Sequence, residues 1–257
     1  MKTILNITLL FMSYGLFAQT ADTLFTQANS AYKNSDYSLA LKAYRQIEKN
    51  GKKSADLYYN LGNTYYKLNK IAPSIYYYEK ALLLQPGMED AKHNLAFAER
   101  MRIDAFEKIP KTFLQNSSEK LIYPVHYNTW AWITVVFAFL TGIFFLWYYF
   151  SVYTDKKRLY FILSFISLLL MLTTLFFTVK AHHHELKDQP AIVFSPKVSI
   201  KSEPLLSASE SFVLHEGTKV NIEKSVDDWY KIKLSDGKIG WIPKSDVRKL
   251  KDLGFRI

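Results

Sequence analysis

Residues Thr129–Thr154 carry no charged side chain, and after Asp155-Lys156-Lys157-Arg158 a second uncharged run covers Leu159–Val179. Each run is long enough to cross a hydrocarbon core about 30 Å thick as a helix. Two such runs back to back predict a two-span hairpin. A hairpin leaves everything before it and everything after it on the same side of a membrane. Tyr127, Trp130 and Trp132 open the first run, and Trp147, Tyr148, Tyr149 and Tyr153 close it. Aromatic rings with an apolar body and a polar tip settle at the headgroup level in this way. Lys156, Lys157 and Arg158 put the 155–158 loop on the cytoplasmic side by the positive-inside bias. No acidic residue, His or Arg lies inside either run. That argues against a transporter, a proton channel or an intramembrane enzyme, which need ionisable groups at depth. Gly142, Ser164, Ser167, Thr173 and Thr174 are read as surface where helices pack.

The first residues reach the same topology independently. Lys2 precedes an apolar run, Ile4–Phe17, that ends at Ala18. A positive start, a short apolar centre and a small final residue describe a secretory signal peptide, here 1–18. Leu16 departs from the small residue favoured near the cut, and an uncleaved anchor is the alternative. No cysteine follows for lipid attachment. Either way residue 21 onward is expected outside, so the topology reads N-out, loop-in, C-out at a bacterial inner membrane. The formal charge of +10 is spread along the chain without a basic cluster, so nucleic acid is not the expected partner. The absence of cysteine removes disulfides, thiolate metal sites and thiol nucleophiles.

Between residues 21 and 108 two 34-residue windows superimpose. The second, Ala55–Met88, carries Tyr58, Leu61, Gly62, Tyr65, Ser74, Tyr78, Ala81 and Pro86. The first, Ala21–Ser54, repeats the pattern more weakly with Ala28, Ala31, Ala40, Tyr44 and Ile47. Gly62 and Ser74 fall where paired antiparallel helices touch, the tyrosines fill the wedge between helices, and Pro86 stops the second helix. Lys33–Tyr37 and Asn69-Lys70 read as turns, with Ser35 or Asp36 as N-cap. Glu89–Ile103 is a further amphipathic helix, with Ala91, Leu95, Ala98 and Arg102 at helical spacing. This segment resembles a tetratricopeptide repeat domain. Two repeats and a cap make a short stack, since such units bury their core against neighbours. Either Asp104–Leu121 or a partner is expected to cover the open end. The resemblance implies peptide or protein binding in the groove lined by the first helices, through Asn29, Tyr32, Asn60, Asn63, Lys67 and Asn94. For Asn60 and Asn63 a plain solvated surface is the alternative, and for the tyrosines core packing. Tyr76-Tyr77-Tyr78 cannot all be core, so Tyr76 or Tyr77 is expected at an interface.

Residues 109–126 form a linker broken by Pro124, spans are set at 127–154 and 159–180, and 181–189 is a second linker. It contains His182-His183-His184, whose adjacent spacing converges poorly on one ion, so no metal is expected there. From 190 to 250, short β-rich runs alternate with turn signals. Asp236-Gly237 marks a hairpin. Glu216-Gly217-Thr218-Lys219-Val220, Trp229-Tyr230-Lys231-Ile232 and Asp236-Gly237-Lys238-Ile239-Gly240-Trp241-Ile242 together resemble a bacterial SH3 domain. Ser199–Pro204 departs from that family, with Lys201 for its Arg and Glu203 for its Gly, which weakens any inherited ligand site. The resemblance implies a ligand surface at Trp229, Tyr230 and Trp241. One tryptophan, Trp241 first, is alternatively a core residue.

The expected architecture is therefore a multidomain membrane protein: an all-α tetratricopeptide domain, a two-helix transmembrane hairpin and a C-terminal all-β SH3-like barrel. No phosphate loop, His-Glu-x-x-His, paired carboxylates or nucleophile elbow is present. An enzyme is not expected, and neither cofactor nor metal. The order of segments resembles the E-type (BatE-like) proteins of the Bat aerotolerance operon of Bacteroidetes. That resemblance implies a periplasmic scaffold in an envelope assembly linked to oxygen or stress tolerance, beside von Willebrand A proteins and a MoxR-type ATPase. The alternative is a wall-sensing protein whose SH3-like domain binds peptidoglycan.

Overall fold

The computed structural model describes residues 21–106, 116–117 and 120–251. It divides into two compact units, Met1–Glu107 with Pro190–Ile257, and Lys108–Gln189. The signal peptide at 1–18 and half of the 109–126 linker lie outside the described residues.

The first unit begins with five helices: α1 over residues 21–33, α2 Tyr37–Lys49, α3 Ala55–Lys67, α4 Ile71–Leu84 and α5 Glu89–Arg100. Asp36 caps α2 by accepting from the Leu39 N–H at 3.0 Å, and Ser54 caps α3 by accepting from Leu57 N–H at 3.1 Å. Ser35 and Asn69 turn the chain with φ of 63° and 56°. The helices meet through small side chains. A Cβ on Gly62 would lie 2.6 Å from Cδ1 of Tyr78, and the Ser74 hydroxyl donates to the Gly62 carbonyl at 3.0 Å. Tyr44, Tyr58, Tyr77 and Tyr78 are fully buried. Tyr77 satisfies its hydroxyl by donating to Glu48 at 2.8 Å while Arg45 donates to it. Tyr76 is the half-buried member of its triplet.

Seven strands follow: β1 Pro190–Val193, β2 Lys197–Lys201, β3 Glu210–His215, β4 Lys219–Val226, β5 Trp229–Lys233, β6 Ile239–Pro243 and β7 Val247–Lys249. They pair antiparallel in the order β3-β2-β6-β5-β4-β1-β7. Gly237 supplies the positive φ of the β5–β6 hairpin, at 89°. The expected barrel is corrected here: among the described residues β3 and β7 are the edge strands and do not pair with each other, so the sheet is open. Closure requires a continuous ladder around the ring. Here β2 and β6 share a single paired position, Lys201 with Trp241, and β7 is three residues long. The sheet still bends enough to bury one cluster, to which every strand contributes, including Ala191, Ile200, Leu214, Ile222, Ile232, Ile242 and Val247.

The sheet also answers what covers the open end of the helical stack. Ile192 and Leu250 bury against Ala72, Ile75, Tyr78 and Ala98. Phe194 meets the Tyr76 ring edge-on at 5.5 Å between centroids, so the spare tyrosine serves an interface within the chain. Asp104, just beyond α5, accepts from the His215 N–H at 2.7 Å and the Thr218 hydroxyl at 2.7 Å, and lies 2.8 Å from His215 Nδ1. Burial alone would push this carboxyl up. The hydrogen bonds from His215 and Thr218 outweigh it and hold the carboxyl below its usual range. Lys219 pairs with Glu79 at 2.6 Å. Gly217 lies where a Cβ would come 3.0 Å from Ile75 and 3.1 Å from Arg102, and its φ is 84°.

Among the described residues of the second unit, two helices, α6 Tyr127–Phe150 and α7 Thr154–Lys187, are long and apolar enough to cross a membrane. They pair antiparallel through a polar seam. Thr134 donates to Thr174 at 3.0 Å, Thr141 donates to Ser167 at 3.0 Å, and Ser167 lies 3.0 Å from the Phe137 carbonyl. The expected packing role of Ser164, Ser167 and Thr174 matches this seam, whereas Thr173 turns outward and bonds its own helix. Asp155–Arg158, read as the loop, forms the first turn of α7, and Ser151–Tyr153 makes the bend. Asp155 at that N-terminus complements the helix dipole. The second helix runs on past Val179 and takes in the three histidines, of which His184 stacks on Tyr123 at 3.8 Å.

Candidate functional site

The groove is built by a hydrogen-bond unit that occurs twice, one repeat apart. In the first, the Tyr44 hydroxyl donates to Asn29 Oδ1 at 2.5 Å, and Asn60 Nδ2 donates to the same oxygen at 3.4 Å. In the second, Tyr78 donates to Asn63 Oδ1 at 2.7 Å, and Asn94 Nδ2 donates to it at 2.8 Å. A tyrosine on the second helix of a repeat thus fixes an asparagine on the first helix. The first helix of the next repeat adds the second donor. Burial pushes the Tyr44 hydroxyl up to about 12, with Tyr32 adding to the shift, and burial likewise raises Tyr78. Both hydroxyls therefore stay protonated and act as donors. With each Oδ1 held inward by two donors, the Nδ2 groups of Asn29 and Asn63 are left as donors without acceptors among the described residues.

A cleft of about 180 Å³ lies beside the Tyr78–Asn63–Asn94 group, lined by Tyr32, Asn63, Tyr66, Lys67, Tyr78, Asn94 and Phe97. Four predicted groove residues, Tyr32, Asn63, Lys67 and Asn94, line it together. Asn29 and Asn60 lie outside this lining and are bonded to each other. Tyr66, Tyr78 and Phe97 were not among the predicted residues. Tyr66 falls one repeat after Tyr32 and Phe97 one repeat after Asn63, so the repeat offset was a usable signal. The lining holds one cation and no carboxylate.

On the sheet the three predicted aromatics separate. Trp229 is only 9% exposed. Tyr230 packs against the sheet core, with Lys244 and Lys249 above its ring at 5.2 and 4.8 Å. Trp241 is half-buried and pairs across strands with Lys231 on one side and Lys201 on the other. The tryptophan given first place as a core residue is thus the more open of the two. Register explains the outward position of Trp241. Ile232 and Ile242 point into the core, so Lys231 and Trp241, one position before each, point out. Among the described residues no group of three His, Asp or Glu side chains is placed to hold a metal ion.

Comparison with known families agrees with this division of the chain. The family described as Tetratricopeptide repeat matches residues 55–88, and the one described as Bacterial SH3 domain matches residues 196–248. No curated protein matches the chain. Both families are non-catalytic interaction modules. The matched segments are therefore interaction modules rather than catalytic ones, and the chain's two apolar helices are consistent with two membrane spans.

Proposed function

We propose that this chain is a membrane-anchored adaptor whose helical groove binds an extended peptide segment of a partner protein. The observation that carries the reading is the duplicated tyrosine–asparagine unit. It holds two amide donors, at Asn29 and Asn63, in register along one face. An extended peptide offers carbonyl oxygens at a regular spacing that can accept from such donors. Lys67, in a cleft lined by no carboxylate, favours a peptide with acidic side chains or a free C-terminal carboxylate. The test is an array of extended peptides, half with free and half with amidated C-termini, probed with the full chain in detergent. Asn29→Ala with Asn63→Ala should weaken the best binders about thirtyfold, since each of the two lost hydrogen bonds contributes about 1 kcal/mol. Unchanged binding by the double variant would rule the groove out.

A second reading concerns the sheet: it binds peptidoglycan, and the protein senses or tethers the cell wall. The match to a bacterial SH3 domain over 196–248 supports it, together with the outward position of Trp241. This support is more direct than that for a scaffold in an aerotolerance assembly with von Willebrand A partners, which stands on the order of segments alone. In either case the topology proposed places both modules in the periplasm. Retention of the full chain on purified sacculi, lost in Trp241→Ala, is the outcome wall binding requires. Labelling of a cysteine introduced at Ser151, in the bend between the spans, from outside intact spheroplasts would overturn the topology.

A further inference from the structure

Strand register assembles a basic row on the outer face of the sheet that the chain's order does not reveal. Lys224 on β4 pairs with Lys231 on β5, Lys231 pairs with Trp241 on β6, and Trp241 pairs with Lys201 on β2. Residues directly opposite across antiparallel strands share a face with their Cβ atoms about 5 Å apart. Three lysines and a tryptophan therefore stand side by side. Lys233 and Ile239, themselves a cross-strand pair, extend the same face, and Ile239 is 44% exposed. None of these four lysines has an ion-pair partner among the described residues. Glu210, paired with Lys201 on edge strand β3, and Glu223 in the β4 bulge are the acidic groups nearest the row in register. The face stays positive. The docked side of the sheet lies elsewhere, at Ile192, Phe194, Gly217 and Leu250.

From this juxtaposition we infer that the outer sheet face is a docking surface for an anionic phospholipid bilayer. Charge complementarity requires a polyanion. The side-chain mixture selects a lipid surface, because tryptophan prefers the headgroup level, an exposed isoleucine reaches the acyl boundary, and lysines gain from anionic headgroups. Only Asp188 and Gln189 separate β1 from the apolar helix α7 in sequence, so a covalent tether keeps headgroups at high effective concentration. This inference rests on the two-span membrane reading. Placing the full chain in nanodiscs of phosphatidylcholine alone, or with phosphatidylglycerol added, and measuring lysine acylation by mass spectrometry tests it. Lys201, Lys224 and Lys231 should label about fivefold more slowly in the anionic discs. Salt at 0.5 M or so should abolish the difference. Lys42 on α2 should label equally in both. Equal rates for the row in both discs would overturn the inference while leaving the spans intact. Failure of the chain to incorporate into discs would overturn the spanning reading and the inference with it. Protection by polyglutamate in phosphatidylcholine discs, without protection by phosphatidylglycerol, would assign the face to an acidic protein instead.

Discussion

At the residue scale, Gly62 and Asp104 show how little tolerance the first unit has. A methyl group at Gly62 would overlap the buried Tyr78 ring, which is itself tied to Asn63. Gly62→Ala should therefore destabilise the unit by about 1–3 kcal/mol, as overpacking does. Gly87→Ala, which meets nothing within 4 Å, should be close to neutral in the same denaturant titration. Asp104 acts differently, through charge. Its folded carboxyl lies below the unfolded value, so its contribution is fully present above pH of about 4. That contribution is lost as pH falls through the folded value. Asp104→Asn should flatten the acid limb of a stability-versus-pH curve and lower stability at pH 7 by about 1–3 kcal/mol. If the acid limb were unchanged, the link from Asp104 to His215 and Thr218 would carry no stability. The need for a small residue at Gly62 was legible from the repeat pattern. Asp104 was not, because its partner lies 111 positions away and nothing local marks it.

At the element scale, the helices and strands followed closely from periodicity and turn chemistry. The β5–β6 hairpin turns at Gly237 as its Asp-Gly pair demands, and Asp36 caps α2. What periodicity could not decide was which face of a strand is covered. Trp229 and Trp241 both sit in outward positions of the register. One is buried all the same and the other stays half open. In the hairpin, the Thr134–Thr174 and Thr141–Ser167 bonds link two helices of predominantly apolar composition. Interhelical bonds of this kind average about 0.6 kcal/mol in membranes. Thr134→Val with Thr174→Val should thus loosen the pair by less than about 1 kcal/mol in a reversible unfolding assay in bicelles. A loss of several kcal/mol would mean that the seam, rather than packing of the long apolar surfaces, holds the hairpin.

At the scale of the whole molecule, the sheet completes the helical stack. Ile192 is fully buried among α4 and α5 residues rather than in the sheet's own cluster. Ile192→Ala should cost about 2–4 kcal/mol and should raise amide exchange in α4 and α5 together with β1. Exchange rising in β1 alone would show that the two modules are independent. The sequence by itself determined the inventory: a repeat set by Gly, Ala and Tyr spacing, two apolar helices set by length, and seven short strands set by alternation and turns. Those signals act over a few residues, where backbone geometry and side-chain period are enough. Only the tertiary structure decided how the parts close. The sheet stays open because its edge strands β3 and β7 do not pair with each other, and the stack's exposed end is covered by strands far along the chain. The lysine row, likewise, exists only once register brings β2, β4, β5 and β6 side by side. Each of these depends on contacts between distant segments, whose free energy no local pattern records.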